Sequence, residues 1–496
     1  MRSKKAIINI ITSFSLQIIT IICGFIIPKL IIKTYGSQVN GLVTSISQFL
    51  AFITLLEAGF GSVIKSVLYK PIANKDRITI EKILKSSEKI FRIISCFFIV
   101  YIIVLCILLP LVLENEFNKM FTLSLIVIIS ISIFAEYYFG MTYRLYLQAE
   151  QKKYVVSIIQ AFTLIFNTII VVSLIKLKAN IQVVKLASSC IFILRPVLQN
   201  IYVKKKYNIN LKNIENDYKI KQKWDGFAQH IAYVVHSNTD VAILTLCGNL
   251  SEVSVYAIYS IIVESVKNVV KSLADGIDSA FGDMIAKNEE KNLNRNFKAY
   301  ESVYFTISTI IFSATTFLIL PFVNLYIREV TDINYIRPTF AYLMVFAKFI
   351  YIIRQPYNDL VKVSGHFKQT RVGAWIEAIS NIIISFLLVW KYGIIGVAIG
   401  TIISMFIRTI EFMVYTSKKI LKRSIWDSLK NIVVISIELI LITVIINWIP
   451  RIEIYNYVTW AIMAIYICIV SSIIVLLINS CVYRNSFKYI FKKLIV

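Results

Sequence analysis

Phe97–Leu113 reads FFIVYIIVLCILLPLVL. It carries no charge, and its apolar residues do not alternate with polar ones. A bilayer core about 30 Å thick needs roughly 20 apolar residues of helix to cross it. In lipid, every backbone polar group must be satisfied internally, so the expected form is a helix. A membrane β-barrel would instead show short segments of period two. Ile432–Ile446 (IVVISIELILITVII) is a second, nearly continuous apolar run. Outward from these two, the chain of 496 residues, 57% of them hydrophobic, divides into fourteen such stretches. They fall at 7–32, 40–66, 90–113, 119–143, 154–175, 181–203, 226–248, 253–282, 300–327, 336–360, 371–390, 394–416, 427–449 and 455–482. The expected fold class is an all-α polytopic membrane protein with about 14 transmembrane helices.

The loops check that count. Basic residues concentrate at the N-terminus, after spans 2, 6, 8 and 12, and at the C-terminus, as in Lys204-Lys205-Lys206 and Lys418-Lys419. The intervening loops hold nearly isolated cations such as Lys33, Lys119, Arg328 and Arg451. Positive charge in short loops marks the cytoplasmic side, so both termini are expected there. The net charge of +25 then follows topology. It forms no patch with base-stacking aromatics, and nucleic acid is not an expected partner. Membrane lipids are. The long apolar run of span 1, with no small-residue cleavage site after it, reads as a span rather than a signal peptide.

Catalytic signatures are missing. The chain has no phosphate-binding G-x-x-x-x-G-K-[ST] loop, no H-E-x-x-H and no G-x-S-x-G. Its three histidines and seven cysteines show no metal-ligand spacing, so neither a metal nor a cofactor is expected. No outer loop is long enough for a catalytic domain. Transport by a non-enzyme remains. Lys204–Lys223, the longest hydrophilic connection between the two halves, follows span 6. The expected organisation is a six-helix lobe (1–203), a cytoplasmic linker (204–222), a second six-helix lobe (223–420) and two additional helices with a tail (421–496). Two such lobes in parallel repeat are a known transporter plan, with the site between them.

Ionisable residues at membrane depth are costly and face a cavity or pair with one another. Span 8 carries Glu264, Lys267, Lys271, Asp275 and Asp278. At 100° per residue these lie within about 80° of one helical face. The stripe lines a polar cavity, or Lys271–Asp275 and Glu264–Lys267 pair internally; the two are compatible. On span 2, Asn40, Thr44, Ser47, Ala51, Thr54, Ala58, Ser62 and Lys65 share a small or polar face that equally suits close helix packing. Glu57 lies near it. Span 7 adds His236, Asn238 and Asp240, and Lys348, Arg354 and Arg408 are further cations in or near spans. Lys267, Lys271, Lys65 and Arg354 are the candidate cavity cations, suited to a phosphate or pyrophosphate. Glu264, Asp275, Asp278, Glu57, Asn238 and Asp240 are candidates for coupling or for lining the cavity.

Three segments also carry a family resemblance. Tyr35–Pro71 (YGSQVNGLVTSISQFLAFITLLEAGFGSVIKSVLYKP), HSNTDVAILTLCGNLSEVSVYAIYS from His236, and Gln355–Ser404 resemble the bacterial polysaccharide flippases of the Wzx type. That group belongs to the multidrug/oligosaccharidyl-lipid/polysaccharide exporter superfamily. The resemblance extends over essentially the whole chain. It implies a multi-pass protein of the bacterial cytoplasmic membrane. Such a protein moves undecaprenyl-pyrophosphate-linked oligosaccharide to the outer leaflet by alternating access, for surface polysaccharide. Its substrate is a lipid-linked oligosaccharide, and polysaccharide polymerase machinery is an implied partner. A multidrug or cation exporter and a lipid II flippase of the same superfamily are the alternatives.

Overall fold

The computed structural model describes residues 2–209, 211, 214, 218, 224–272, 277–448 and 453–483, and all of its regular structure is helical. Two compact units divide the chain, Met1–Val255 and Tyr256–Val496.

The N-terminal unit contains α1 (Arg2–Tyr35), α2 (Ser37–Ala51), α3 (Thr54–Asn74), α4 (Arg77–Val112), α5 (Lys119–Ala135), α6 (Met141–Ala149), α7 (Lys153–Lys176), α8 (Ile181–Tyr207) and α9 (Trp224–Cys247). A π-helical turn, Glu136–Gly140, joins α5 to α6 into one span. Local signals set the helix starts. Asp76 caps α4 by accepting from Thr79 N (3.1 Å), and Asn118 caps α5 by accepting from Met120 N (2.9 Å). Hydrogen bonds from the side chain and backbone of Thr79 hold the Asp76 carboxyl below its usual range. Expected span 2 is two helices, because the chain turns at Phe52–Ile53 between α2 and α3. Described residues of the expected linker pack on this unit. Ile209 and Leu211 join its buried core, and Ser86 Oγ donates to the Tyr218 carbonyl (2.6 Å).

The small and polar face of α2 is largely a packing seam. Ser45 Oγ meets Thr245 Oγ1 of α9 at 2.7 Å, and Asn40 Nδ2 donates to Ser254 Oγ (2.8 Å). Thr44 and Ser47 bond back to carbonyls of their own helix. Gly41 permits the closest approach. A Cβ there would lie 1.8 Å from the carbonyl oxygen of Leu250. Gly41→Ala is therefore expected to force the backbones apart and cost about 1–3 kcal/mol. The fall in thermal midpoint of the purified protein measures it.

α10 (Leu250–Ser272) begins in the N-terminal unit and runs into the C-terminal one. Its first amide is held by the Glu116 carboxylate (3.2 Å). There follow α11 (Ile277–Ala286), α12 (Glu290–Tyr326), α13 (Pro338–Val363), α14 (Arg371–Tyr392), α15 (Ile394–Tyr415), a π turn (Thr416–Ile420), α16 (Trp426–Trp448) and α17 (Tyr457–Val482). Expected span 8 thus corresponds to α10 and α11, on either side of residues 273–276, which lie outside the described ones. An Asn456–Thr459 capping box opens α17.

Among the described residues, eleven helices are long and apolar enough to cross a membrane. The three other expected spans correspond to α2–α3, α9 and α13. For α13 the reason is its surroundings. It is buried along most of its length, from Phe340 to Val361, so it needs no lipid-compatible surface and tolerates Lys348 and Arg354. The lipid-compatible faces lie on helices such as α4, α16 and α17, where Phe97, Ile107, Ile440 and Leu477 are exposed.

Candidate functional site

Charged side chains at membrane depth gather into clusters, described unit by unit. In the C-terminal unit a chain of charges of mostly alternating sign runs across four helices. Glu264 of α10 stands between Lys348 of α13 (2.7 Å) and Lys267 of its own helix, three residues on. Lys267 is buried, and its ammonium lies 5.1 Å from the centre of the Tyr351 ring. Arg354 approaches the same ring at 4.8 Å. One aromatic side chain therefore attracts two cations through the negative face of its π system. Arg354 then donates to Glu377 of α14 (2.5 Å), whose other oxygen lies 3.7 Å from Arg408 Nε of α15. Arg408 also donates to Glu411 (2.5 Å) and to the Thr370 carbonyl (2.8 Å). Arg354, Glu377 and Arg408 are all buried. The Glu411 carboxylate fits because Gly373 has no side chain; a Cβ there would sit 1.5 Å from Glu411 Oε2.

Of the residues expected from the sequence, this chain unites Glu264, Lys267 and Arg354. Lys271 is half-buried in the last turn of α10 and, among the described residues, forms no ion pair within 4 Å. Asp275 lies outside the described residues. Asp278 falls in α11, with its side chain outside the described ones.

In the N-terminal unit, Glu57 of α3 accepts from Tyr137 Oη (2.9 Å) and Arg144 Nη2 (2.9 Å). Arg144 Nη1 reaches Glu136 at 2.9 Å. Glu136 and Tyr137 both belong to the π turn, which changes the phase of the helix. Lys65 is half-buried within electrostatic reach of Arg144, Glu57 and Lys153. Nearby, Arg195 donates to Thr163 Oγ1 (2.8 Å) and stacks on Phe192. Asn238 accepts from Gln48 Nε2 and donates to the Val234 carbonyl (2.7 Å), while Asp240 is buried two residues on. The side chain of His236 is outside the described residues.

The sequence reading missed Glu136, Arg144, Arg195, Glu377 and Glu411. Each is an ionisable residue within or beside an apolar run, and that is the signal that would have found them. It missed a further buried pair. Arg423, after the second π turn, donates to both oxygens of Glu301 of α12 (3.1 and 3.0 Å) and to Ser428 Oγ (2.8 Å). Tyr357 Oη also donates to Glu301. Among the described residues no group of three or more His, Cys, Asp or Glu could hold a metal ion.

No family model and no curated protein matches the chain. Solved structures do. The lipid II flippase MurJ, in an inward closed conformation, aligns over 97% of this chain and 99% of its own, at 17% identity and a TM-score of 0.69. An inward-facing multidrug resistance MATE transporter of the MOP superfamily aligns over 82% and 98%, at 12% identity and 0.58. A MOP-superfamily transporter from Pyrococcus furiosus aligns over 84% and 95%, at 13% identity and 0.50. At these identities the likeness is one of fold: the chain is a multi-pass membrane protein with the all-helical fold of the MOP-superfamily transporters.

Proposed function

We propose that the protein is a flippase for an anionic lipid-linked oligosaccharide of the undecaprenyl-pyrophosphate class. It works by alternating access in the bacterial plasma membrane, termini inside, and feeds a surface-polysaccharide polymerase. The observation that carries this reading is the gathering of cations on α10, α13 and α15. Among the described residues, Lys348, Lys267, Arg354 and Arg408 stand in one ionic chain with Glu264, Glu377 and Glu411, and Lys271 lies one turn beyond Lys267. Clustered cations favour an anion, and a pyrophosphate supplies acceptor oxygens able to compete with the carboxylates for the same donors. Lys267, Lys271 and Arg354 are assigned to that head group, with Lys65 as a cation of the N-terminal unit. In the C-terminal unit Glu264, Asp275 and Asp278 are assigned to resetting or coupling that site; in the N-terminal unit Glu57 is assigned to coupling, and Asn238 and Asp240 to lining a cavity of that unit.

The test is the leaflet distribution of lipid-linked oligosaccharide in cells depleted of the protein. Accumulation on the inner leaflet with loss of surface polymer is the expected result. Normal distribution and normal polymer, in a strain without a second flippase, would overturn it and favour drug export. Likeness of fold to MurJ favours one further substrate, lipid II. A block in peptidoglycan synthesis with surface polymer intact would select it. Lys267→Glu sets a second carboxylate beside Glu264. A charge-assisted hydrogen bond contributes about 1.5–3 kcal/mol, so transport is expected to fall roughly ten- to hundredfold in protein that still inserts and purifies.

A further inference from the structure

Two carboxylates of the ionic chain in the C-terminal unit are set in opposite ways. The Glu377 side chain is 11% exposed and lies between the guanidinium groups of Arg354 and Arg408, which are 8% and 4% exposed. Glu264 is the reverse. Its side chain is 37% exposed, whereas the two lysines it holds, Lys267 and Lys348, are 11% and 16% exposed. Here the anion is outermost and its cations lie behind it. At membrane depth an ionised carboxylate turns to water or to a partner rather than to hydrocarbon, so the open side of Glu264 faces a water-accessible space.

The contact itself has a particular form. Glu264 Oε1 meets Lys348 Nζ of α13 (2.7 Å), and Oε2 meets Lys267 Nζ of α10. Two oxygens on one central atom thus reach two ammoniums carried by different helices. Each phosphorus of a pyrophosphate presents a pair of charged oxygens in the same manner. Lys267 also lies 5.1 Å from the centre of the Tyr351 ring, which Arg354 approaches at 4.8 Å. With the carboxylate swung aside, both ammoniums keep the positions that α10 and α13 give them, and the place between them opens on the exposed side.

We propose that Glu264 is a resident anion. In the empty protein its carboxylate occupies the seat that an oxygen pair of the pyrophosphate takes in the loaded one, and each displaces the other. The inference rests on the reading of the substrate as an anionic lipid-linked head group, and adds how the seat is emptied. Without the carboxylate, the two ammoniums would repel each other and would retain a bound pyrophosphate through a slow dissociation rate. A carboxylate tethered beside them has a high effective concentration. It neutralises the pair between loads and retakes the seat as the head group leaves. Removing its charge therefore makes anion binding tighter and transport slower, the opposite of what loss of a substrate-binding group does.

The test is titration of inorganic pyrophosphate into the full chain, in nanodiscs of zwitterionic lipid without divalent cations. Glu264→Gln is expected to bind it roughly ten- to hundredfold more tightly than the wild type. Pyrophosphate is also expected to raise the thermal midpoint of Glu264→Gln more than that of the wild type. Equal or weaker binding by Glu264→Gln overturns the proposal and leaves Glu264 a structural partner of the two lysines. Adding Lys348→Met to Glu264→Gln is expected to abolish the gain; a gain that persists places the anion elsewhere and also overturns it. Should Glu264→Gln not purify, Glu264→Asp decides the matter. One methylene shorter, it bridges the lysines less well, so binding is expected to tighten several-fold, and an unchanged affinity counts against the proposal. The leaflet distribution in depleted cells judges the substrate reading separately. Tighter binding by Glu264→Gln with a normal distribution keeps the self-occupied seat and sinks that reading. Inner-leaflet accumulation without tighter binding keeps the reading and sinks the resident anion.

Discussion

Glu377→Ala is expected to lower the stability of the protein by about 3–5 kcal/mol, the usual cost of removing one partner from a buried ion pair. Glu377 lies between Arg354 and Arg408, both almost wholly buried. Deleting it leaves two guanidinium groups in a low-dielectric interior with one carboxylate fewer. Arg408 keeps Glu411 and Arg354 keeps the face of Tyr351, which offsets part of the loss. Replacing Arg354 by methionine in the same chain removes the unneutralised charge. The double variant is therefore expected to be closer to wild type than Glu377→Ala. Chemical denaturation of the purified protein gives both values. A single-variant loss under about 1 kcal/mol would show that water reaches the pair.

Arg423→Met is the second large effect, again about 3–5 kcal/mol. The guanidinium is 6% exposed and satisfies a carboxylate that is 1% exposed. It also fixes the segment between α15 and α16 to α12, through Glu301 and Ser428. The variant is expected to unfold at lower temperature and to be cut faster by protease in that segment. Arg423→Lys restores the charge, but Nη2 alone contacts both Glu301 oxygens and Ser428 Oγ, and the shorter lysine must make the same reach, so recovery should be partial. Pairing Arg423→Met with Glu301→Gln should recover more. Proteolysis unchanged from wild type would show that the segment is held by its apolar contacts instead, chiefly buried Leu421.

The sequence was most informative where a property belongs to one helix. Runs such as Phe97–Leu113 are legible because lipid permits few alternatives to a helix. Glu264–Lys267 was legible because residues three apart share a face. What escaped were meetings between helices. Nothing in the local pattern joins Arg354 to Glu377, or Glu301 to Arg423, because each partner belongs to a different element. The π turn at Glu136–Gly140 escaped for a related reason: it shifts the phase of the helix, so a constant 100° per residue misplaces Arg144 relative to Glu136. The break at Phe52–Ile53 likewise interrupts the face drawn through Asn40 and Lys65.

The succession of charges on α10, α13, α14 and α15 also has a mechanical meaning. Slipping α10 by one turn along α13, a step of about 5.4 Å, would bring Lys267 to the place of Glu264 and set it against Lys348. Like charges would then meet where water is scarce, and the step is opposed. The charges act as teeth between helices. Motion in this part of the molecule is therefore expected to carry the four helices together rather than to slide α10 along α13.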